Sequence, residues 1–255
     1  MMAIFDSYQW LGAMLLGSAR ITPIFFLLPF LKSSIISMTI RTPVIMMVGL
    51  SLWPYPASEM LFDEIDGLLL VIAREVFVGL ILAVLFALPF WIMHGIGSLI
   101  DNQRGATISS TLDPMTGVDT SELANLFNLF AGALFLAGGG LIVLLEALEK
   151  SYQLCEPLGT CTPEIMPTLG ILTQLMGKIL VLASPVVAAL LLTEMLLGLL
   201  SRFAPQLNAF SISLTVKSGV AFFILILYFT PVIPDAFKNV WLYKDQLDMW
   251  FLNDQ

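Results

Sequence analysis

Charge is what this sequence has least of. Of its 255 residues, 12% are Asp, Glu, Lys or Arg, about half the share a soluble domain carries. That is too little polar surface to cover a globule in water. Cysteine is scarce as well: two residues exclude a multiply bridged secreted scaffold. A single histidine, His94, supports neither a metal cluster nor a histidine proton relay and reads as a core or interfacial side chain. Basic residues are outnumbered by acidic ones, 11 to 19, for a net charge of −8. That excludes nucleic acid as a partner, because affinity for it comes mainly from Lys and Arg. The first residues, Met1-Met2-Ala3-Ile4-Phe5-Asp6, lack a basic region and a small-residue cleavage site, so no cleaved signal peptide is expected. No phosphate-binding loop, HExxH, GxSxG or Cys–His pair is present. Ser109 and Ser110 have no adjacent base. We therefore expect no catalytic residue, metal or cofactor, and read the chain as a non-enzyme.

What is abundant is apolar. Hydrophobic residues make up 58% of the chain and mean hydropathy is +0.92, which excludes disorder and points to an integral membrane protein. A helix crossing the hydrocarbon core needs about 20 apolar residues. Roughly six stretches approach this: residues 7–31, 42–58, 76–100, 123–145, 179–201 and 218–234. The second and sixth are marginal. Lipid admits only helices or closed barrels, and residues 68–85 do not alternate as barrel strands would. The expected class is all-α: membrane-type helical hairpins in a single domain over 1–255, with hydrophobic helices broken by proline. Pro23, Pro29, Pro89, Pro185, Pro231 and Pro234 each remove a backbone donor, and Gly138-Gly139-Gly140 loosens the fourth stretch.

Basic residues near segment ends suggest orientation. Lys32 and Arg41 mark residues 32–41 as cytoplasmic, whereas Glu59, Asp63, Glu64 and Asp66 place 59–66 outside. Counting onward, 101–122 and 202–217 lie inside and 146–168 outside. Cys155 and Cys161 then face an oxidising side, where a disulfide persists; two unpaired thiols are the alternative.

Charges inside apolar segments are costly and usually meet partners or water. Arg20 either pairs in the interior or reaches the interface. Arg74 and Glu75 project about 100° apart on a helix and are poorly placed to pair with each other, so each should meet a different helix or subunit, or the pair marks an extra turn outside the membrane. Glu194 reads as a neutral carboxyl, an intersubunit ion-pair partner or a proton site. The longest polar interruption is Asp101–Glu122, DNQRGATISSTLDPMTGVDTSE. Gly105 and Gly117 permit bends, Asp113-Pro114 initiates a turn, and Thr120 or Ser121 can cap the following helix with Glu122 in its first turn. A connection of this length is usually functional or disordered. A second polar island runs from Ser201 to Lys217. Its partial alternation allows a strand, but an isolated strand at membrane depth has no partner, so helix or a hairpin tip is expected.

The runs IDNQRGA (100–106), DTSELANLFN (119–128), SYQLC (151–155), LASPVV (182–187) and LSRFAPQLNAFSISLTVKSG (200–219) resemble the SctT/SpaR/FliR family, export-apparatus membrane proteins of type III secretion, and the SpaR-like injectisome members above the flagellar ones. The likeness extends from ARITPIFFLLPFL (19–31) to LYFTPVIPD (227–235). It implies a non-enzymatic subunit of an export gate in the bacterial inner membrane. The implied partners are SctR/FliP-like and SctS/FliQ-like subunits, an SctU/FlhB-like switch protein, membrane lipid, and unfolded secreted proteins as cargo. The family's gate is largely lifted out of the bilayer plane, so span counting misleads. The resemblance also implies a pore plug, carried here by Asp101, Asn102, Gln103, Arg104, Gly105, Ala106, Ser109, Ser110, Asp113, Met115, Asp119 and Glu122. Arg202 becomes a candidate pore-side or intersubunit contact, with Arg20, Arg74, Glu75, Glu194 and Lys217 as further buried or intersubunit charges. The alternative is an ion-coupled secondary transporter, in which Glu194 and Arg74/Glu75 would form a midplane site.

Overall fold

The computed structural model describes residues 2–32, 35–55, 65–106, 121–157, 159, 161, 163–204 and 209–241. Among them every regular element is helical: α1 (Met2–Leu27), a 3₁₀ turn (Pro29–Leu31), α2 (Met38–Leu52), α3 (Ile65–Arg104), α4 (Glu122–Ala137), α5 (Gly140–Leu154), α6 (Met166–Phe203) and α7 (Ala209–Trp241). The all-α class follows from the apolar composition.

Four helices are long and apolar enough to cross a membrane, through Trp10–Leu27, Leu68–Arg104, Met166–Phe203 and Ile212–Phe229. The bent pair α4 and α5 would make a fifth. The chain is a multi-pass membrane protein. The expectation of six spans is corrected in two places. The second stretch forms α2, only 15 residues long. The fourth is divided at Gly138–Gly139, where α4 and α5 bend by 73°. Gly139 has φ 76°, a left-handed conformation that side chains resist; its carbonyl accepts the N–H groups of Ile142 and Val143 in the next helix. Conversely, α3 has 40 residues and α6 has 38. At about 1.5 Å per residue, each provides nearly twice the length that a hydrocarbon core of about 30 Å requires.

The prolines break less than expected. Pro23, Pro43, Pro89 and Pro185 all lie inside continuous helices. Each frees the carbonyl four residues earlier, but neighbouring hydroxyls can take it up. Ser184 donates to the Val181 carbonyl freed by Pro185, at 2.7 Å. Among the described residues Pro29 and Pro54 each follow a helix end, α1 and α2. The residue before Pro29, Leu28, is extended (φ −71°, ψ 122°), as steric conflict with the proline ring requires, and α1 ends at Leu27.

The chain divides into two compact units, residues 1–88, 134–172 and 240–255 in one, and 89–133 and 173–239 in the other. No linker separates them. The chain passes between them within α3 at Pro89, within α4, within α6 and near the end of α7. In the first unit, α1 approaches two helices backbone to backbone. A Cβ on Gly17 would stand 2.4 Å from the Gly49 carbonyl oxygen on α2, and one on Gly79 of α3 would stand 2.0 Å from the Arg20 carbonyl oxygen. Leu16, Ile21 and Ile24 of α1 and Leu82 of α3 are completely buried. Trp53 packs edge-on to Tyr152, centroids 6.2 Å apart. In the second unit Phe90, Ile96, Ile100 and Leu190 are buried, and Phe127 stacks on Phe229 at 4.5 Å. Apolar side chains also cover outward faces, among them Val181, Met195, Leu196 and Phe203 on α6 and Ile226 on α7.

The glycine contacts predict an asymmetry. Gly79→Ala forces α1 and α3 apart and should lower the stability of the detergent-extracted chain by about 1–3 kcal/mol. Gly177→Ala, whose added methyl meets nothing within 4 Å, should raise it by about 0.5–1 kcal/mol. Thermal unfolding of the two variants checks both signs.

Candidate functional site

Arg20 is entirely buried in the middle of α1. An isolated guanidinium there would be prohibitive, so its donors must be matched. Glu75 on α3 does this with both oxygens: Nε donates to one at 2.7 Å and Nη2 to the other at 2.9 Å. Nη1 donates to the Ser151 hydroxyl at 3.0 Å, and Nη2 also to the Cys155 carbonyl at 2.9 Å. Ser151 passes its own proton to the Leu148 carbonyl, 2.7 Å away. The Tyr152 ring covers the guanidinium at 4.0 Å, a cation–π contact, and its hydroxyl reaches the Gly17 carbonyl at 3.3 Å. One side chain thus joins α1, α3 and α5.

Glu75 and its neighbour Arg74 find different partners. Arg74 donates to the carbonyls of Glu156, at 3.2 Å, Pro157 and Gly159. Those carbonyls belong to the loop that closes between Cys155 and Cys161, which are joined in a disulfide with Cα atoms 5.3 Å apart.

The second cluster forms in the other unit, where α3 ends and α4 begins. Asp101 is fully buried. One oxygen accepts from the Ser121 hydroxyl at 2.8 Å and from the Leu123 backbone N–H at 3.0 Å; the other accepts from Arg104 at 2.7 Å. Ser121 accepts in turn from the Ala124 N–H at 3.2 Å, as an N-cap residue does. The carboxylate therefore sits on the positive end of α4. Gly105, with φ 80°, terminates α3 in the left-handed conformation. Arg104 extends over the Phe222 ring of α7 at 5.3 Å. Lys217 of α7, itself nearly buried, is 3.1 Å from Glu194 of α6 and 3.5 Å from the Gln103 carbonyl at the end of α3. Four helices meet around the two ends of one loop.

Of the residues named from sequence, Asp101, Gln103, Arg104 and Lys217 converge here. Asn102 and Glu122 are exposed beside them, and Ala106 ends the described part of the connection. Ser109, Ser110, Asp113, Met115 and Asp119 lie outside the described residues. Arg202 is exposed in the last turn of α6. Glu194, expected to be deep in its segment, is 56% exposed at the side chain and pairs within its own chain. Arg41 belongs to α2, is buried, and lies 4.0 Å over the Phe26 ring. Sequence reasoning missed Ser151 and Tyr152 as site residues, although both lie in the SYQLC run at 151–155. It also missed Asn128, whose amide meets Nδ1 of His94 at 2.9 Å.

A model of the family described as bacterial export proteins, family 1, matches residues 11–242. Surface presentation of antigens protein SpaR of Salmonella typhimurium is 48% identical over 247 residues, covering 97% of this chain and 94% of the relative. SpaR of Shigella flexneri is 49% identical over 206 residues, 81% of this chain and 80% of the relative. Yop proteins translocation protein T of Yersinia pestis is 30% identical over 238 residues, 90% of each.

Two stability predictions follow from the polar clusters. Arg20→Met leaves the Glu75 carboxylate buried and unpaired and should destabilise the chain by about 3–5 kcal/mol; adding Glu75→Leu should recover most of that loss. Asp101→Ala, which strands the Ser121 and Arg104 donors, should cost about 1–3 kcal/mol, with Asp101→Asn retaining part of it. Denaturation of each variant, with the double variant closing a cycle, measures both.

Proposed function

This chain belongs to the SctT/SpaR/FliR family of bacterial export proteins, and on that premise we propose that it is a structural and gating subunit of a type III secretion export gate in the inner membrane. In this reading it completes a helical pore with SctR/FliP-like and SctS/FliQ-like subunits beside an SctU/FlhB-like protein, and its connection between α3 and α4 is the plug. Both units act as one gate domain. The chain performs no chemistry of its own: it forms wall and stopper for unfolded cargo.

The observation that carries the reading is Asp101. One buried carboxylate holds the end of α3 against the start of α4, so the described residues on either side of the connection are anchored to each other. A channel for chains of arbitrary sequence must avoid strong binding sites in its lining, yet it must also block ions. Apolar constriction and a displaceable segment meet both demands, and Met115 with the small residues around it suits such a seal. Opening is then a two-state change of the loop on a fixed base, biased by whatever binds the open form better. Lys217, touching both α6 and the end of α3, couples that base to the hairpin of α6 and α7. The exposed apolar faces of α6 and α7 suit burial against lipid or partner helices.

Deleting residues 106–116 should leave the complex assembled, as native mass measurement would show, while raising ion conductance of the membrane that holds it. An assembled complex with unchanged conductance would remove the plug from this account. Glu194→Gln should produce a mild export or assembly defect; loss of substrate-coupled ion flux by the purified chain would favour the transporter instead.

A further inference from the structure

The loop closed by Cys155 and Cys161 turns its backbone oxygens inward to an unusual degree. The carbonyl of Cys155 receives Arg20, and those of Glu156, Pro157 and Gly159 receive Arg74. Four acceptors from five positions thus form a cup for two guanidinium groups, one of them in the core of the first unit. Backbone held this way gives up much conformational freedom. Among the described residues its restraints include the Cys155 N–H on the Ser151 carbonyl at 3.0 Å, the Gly159 N–H on the Glu156 carbonyl at 3.1 Å, and the disulfide. Cys155 has no exposure and Cys161 has 8%.

We propose that oxidation of Cys155 and Cys161 is the step that builds the acceptor cup for Arg74 and completes that of Arg20, so that final packing of α1, α3 and α5 is redox-dependent. A thiol-oxidising reaction therefore belongs to the maturation of this protein. One cysteine thiolate attacks the disulfide of a protein thiol oxidase, forming a mixed disulfide. The second cysteine thiolate then displaces the oxidase sulfur. Two protons and two electrons leave the chain, and the oxidase departs as a dithiol. Because both sulfurs are inaccessible once packed, exchange precedes closure of the helices. The inference is independent of the gating reading.

An ordinary cross-link acts mainly by restricting the unfolded chain, which makes no reference to Arg74. The test is coupling between the two. In the full chain, purified in its complex, thermal midpoints are measured for wild type, Cys155→Ala/Cys161→Ala, Arg74→Met and the combination. Loss of the disulfide should lower the wild-type midpoint by at least about 4 °C and should have less than half that effect when Arg74 is already Met. Equal shifts in both backgrounds overturn the proposal. Where the alanine pair fails to accumulate, reduction of the folded protein followed by alkylation gives the reciprocal measurement. Arg74→Met should speed reduction on the order of three- to tenfold, and an unchanged rate overturns the proposal equally. Mass analysis after acid-quenching cells and alkylating under denaturing, non-reducing conditions should find no labelled cysteine at 155 or 161; two labelled thiols from the assembled complex would refute it outright.

Discussion

A guanidinium placed in the middle of an apolar helix sets the terms for half of this molecule. Burial withdraws the water that would solvate the Arg20 guanidinium. The protein must supply acceptors from several directions at once. The fork geometry of arginine selects a bidentate carboxylate, which brings Glu75 and therefore α3. The remaining donors draw the Ser151 hydroxyl and the Cys155 carbonyl from the end of α5. The aromatic face of Tyr152 closes the site. That such a carboxylate could approach at all depends on Gly79, where the backbones of α1 and α3 nearly touch. Polar demand and steric permission come from adjacent points on the same helices.

The second unit solves the opposite problem with the same logic. Asp101 is a buried anion, and its compensation is a hydroxyl, an arginine and the unpaired N–H groups at the start of a helix. Because those groups flank a long connection, an electrostatic necessity becomes a mechanical anchor. The paired charges also give the helices defined neighbours in surroundings where apolar contact alone discriminates poorly, since lipid tails are as apolar as leucine.

Much of the local structure was legible from residues alone. The helical class, the bend at Gly138–Gly139, the cap at Ser121 and the helical path through 209–217 all rest on short-range chemistry: positive φ, a hydroxyl at a helix start, and the lack of a partner for a lone strand. The proline expectations went astray because a proline removes one hydrogen bond but not the surrounding pressure to keep every other one. A single serine hydroxyl repaired the gap at Pro185. The span count went astray for a related reason: hydropathy registers apolar length, while a glycine pair and a 15-residue helix are matters of backbone geometry.

What the sequence determined by itself was solvent and element: composition forces this chain into membrane and into helices, and spacing places caps and bends. It also indicated that Arg74 and Glu75 are poorly placed to pair with each other, since neighbours on a helix diverge. Which partners they took was decided only in three dimensions. Arg20 lies 55 positions from Glu75 and 135 from the Cys155 carbonyl, and Lys217 lies 114 from the carbonyl of Gln103. No local rule spans such distances. They are set by where glycines let helices close, and by the requirement that every buried charge end its path at an opposite one or at a dipole aimed toward it.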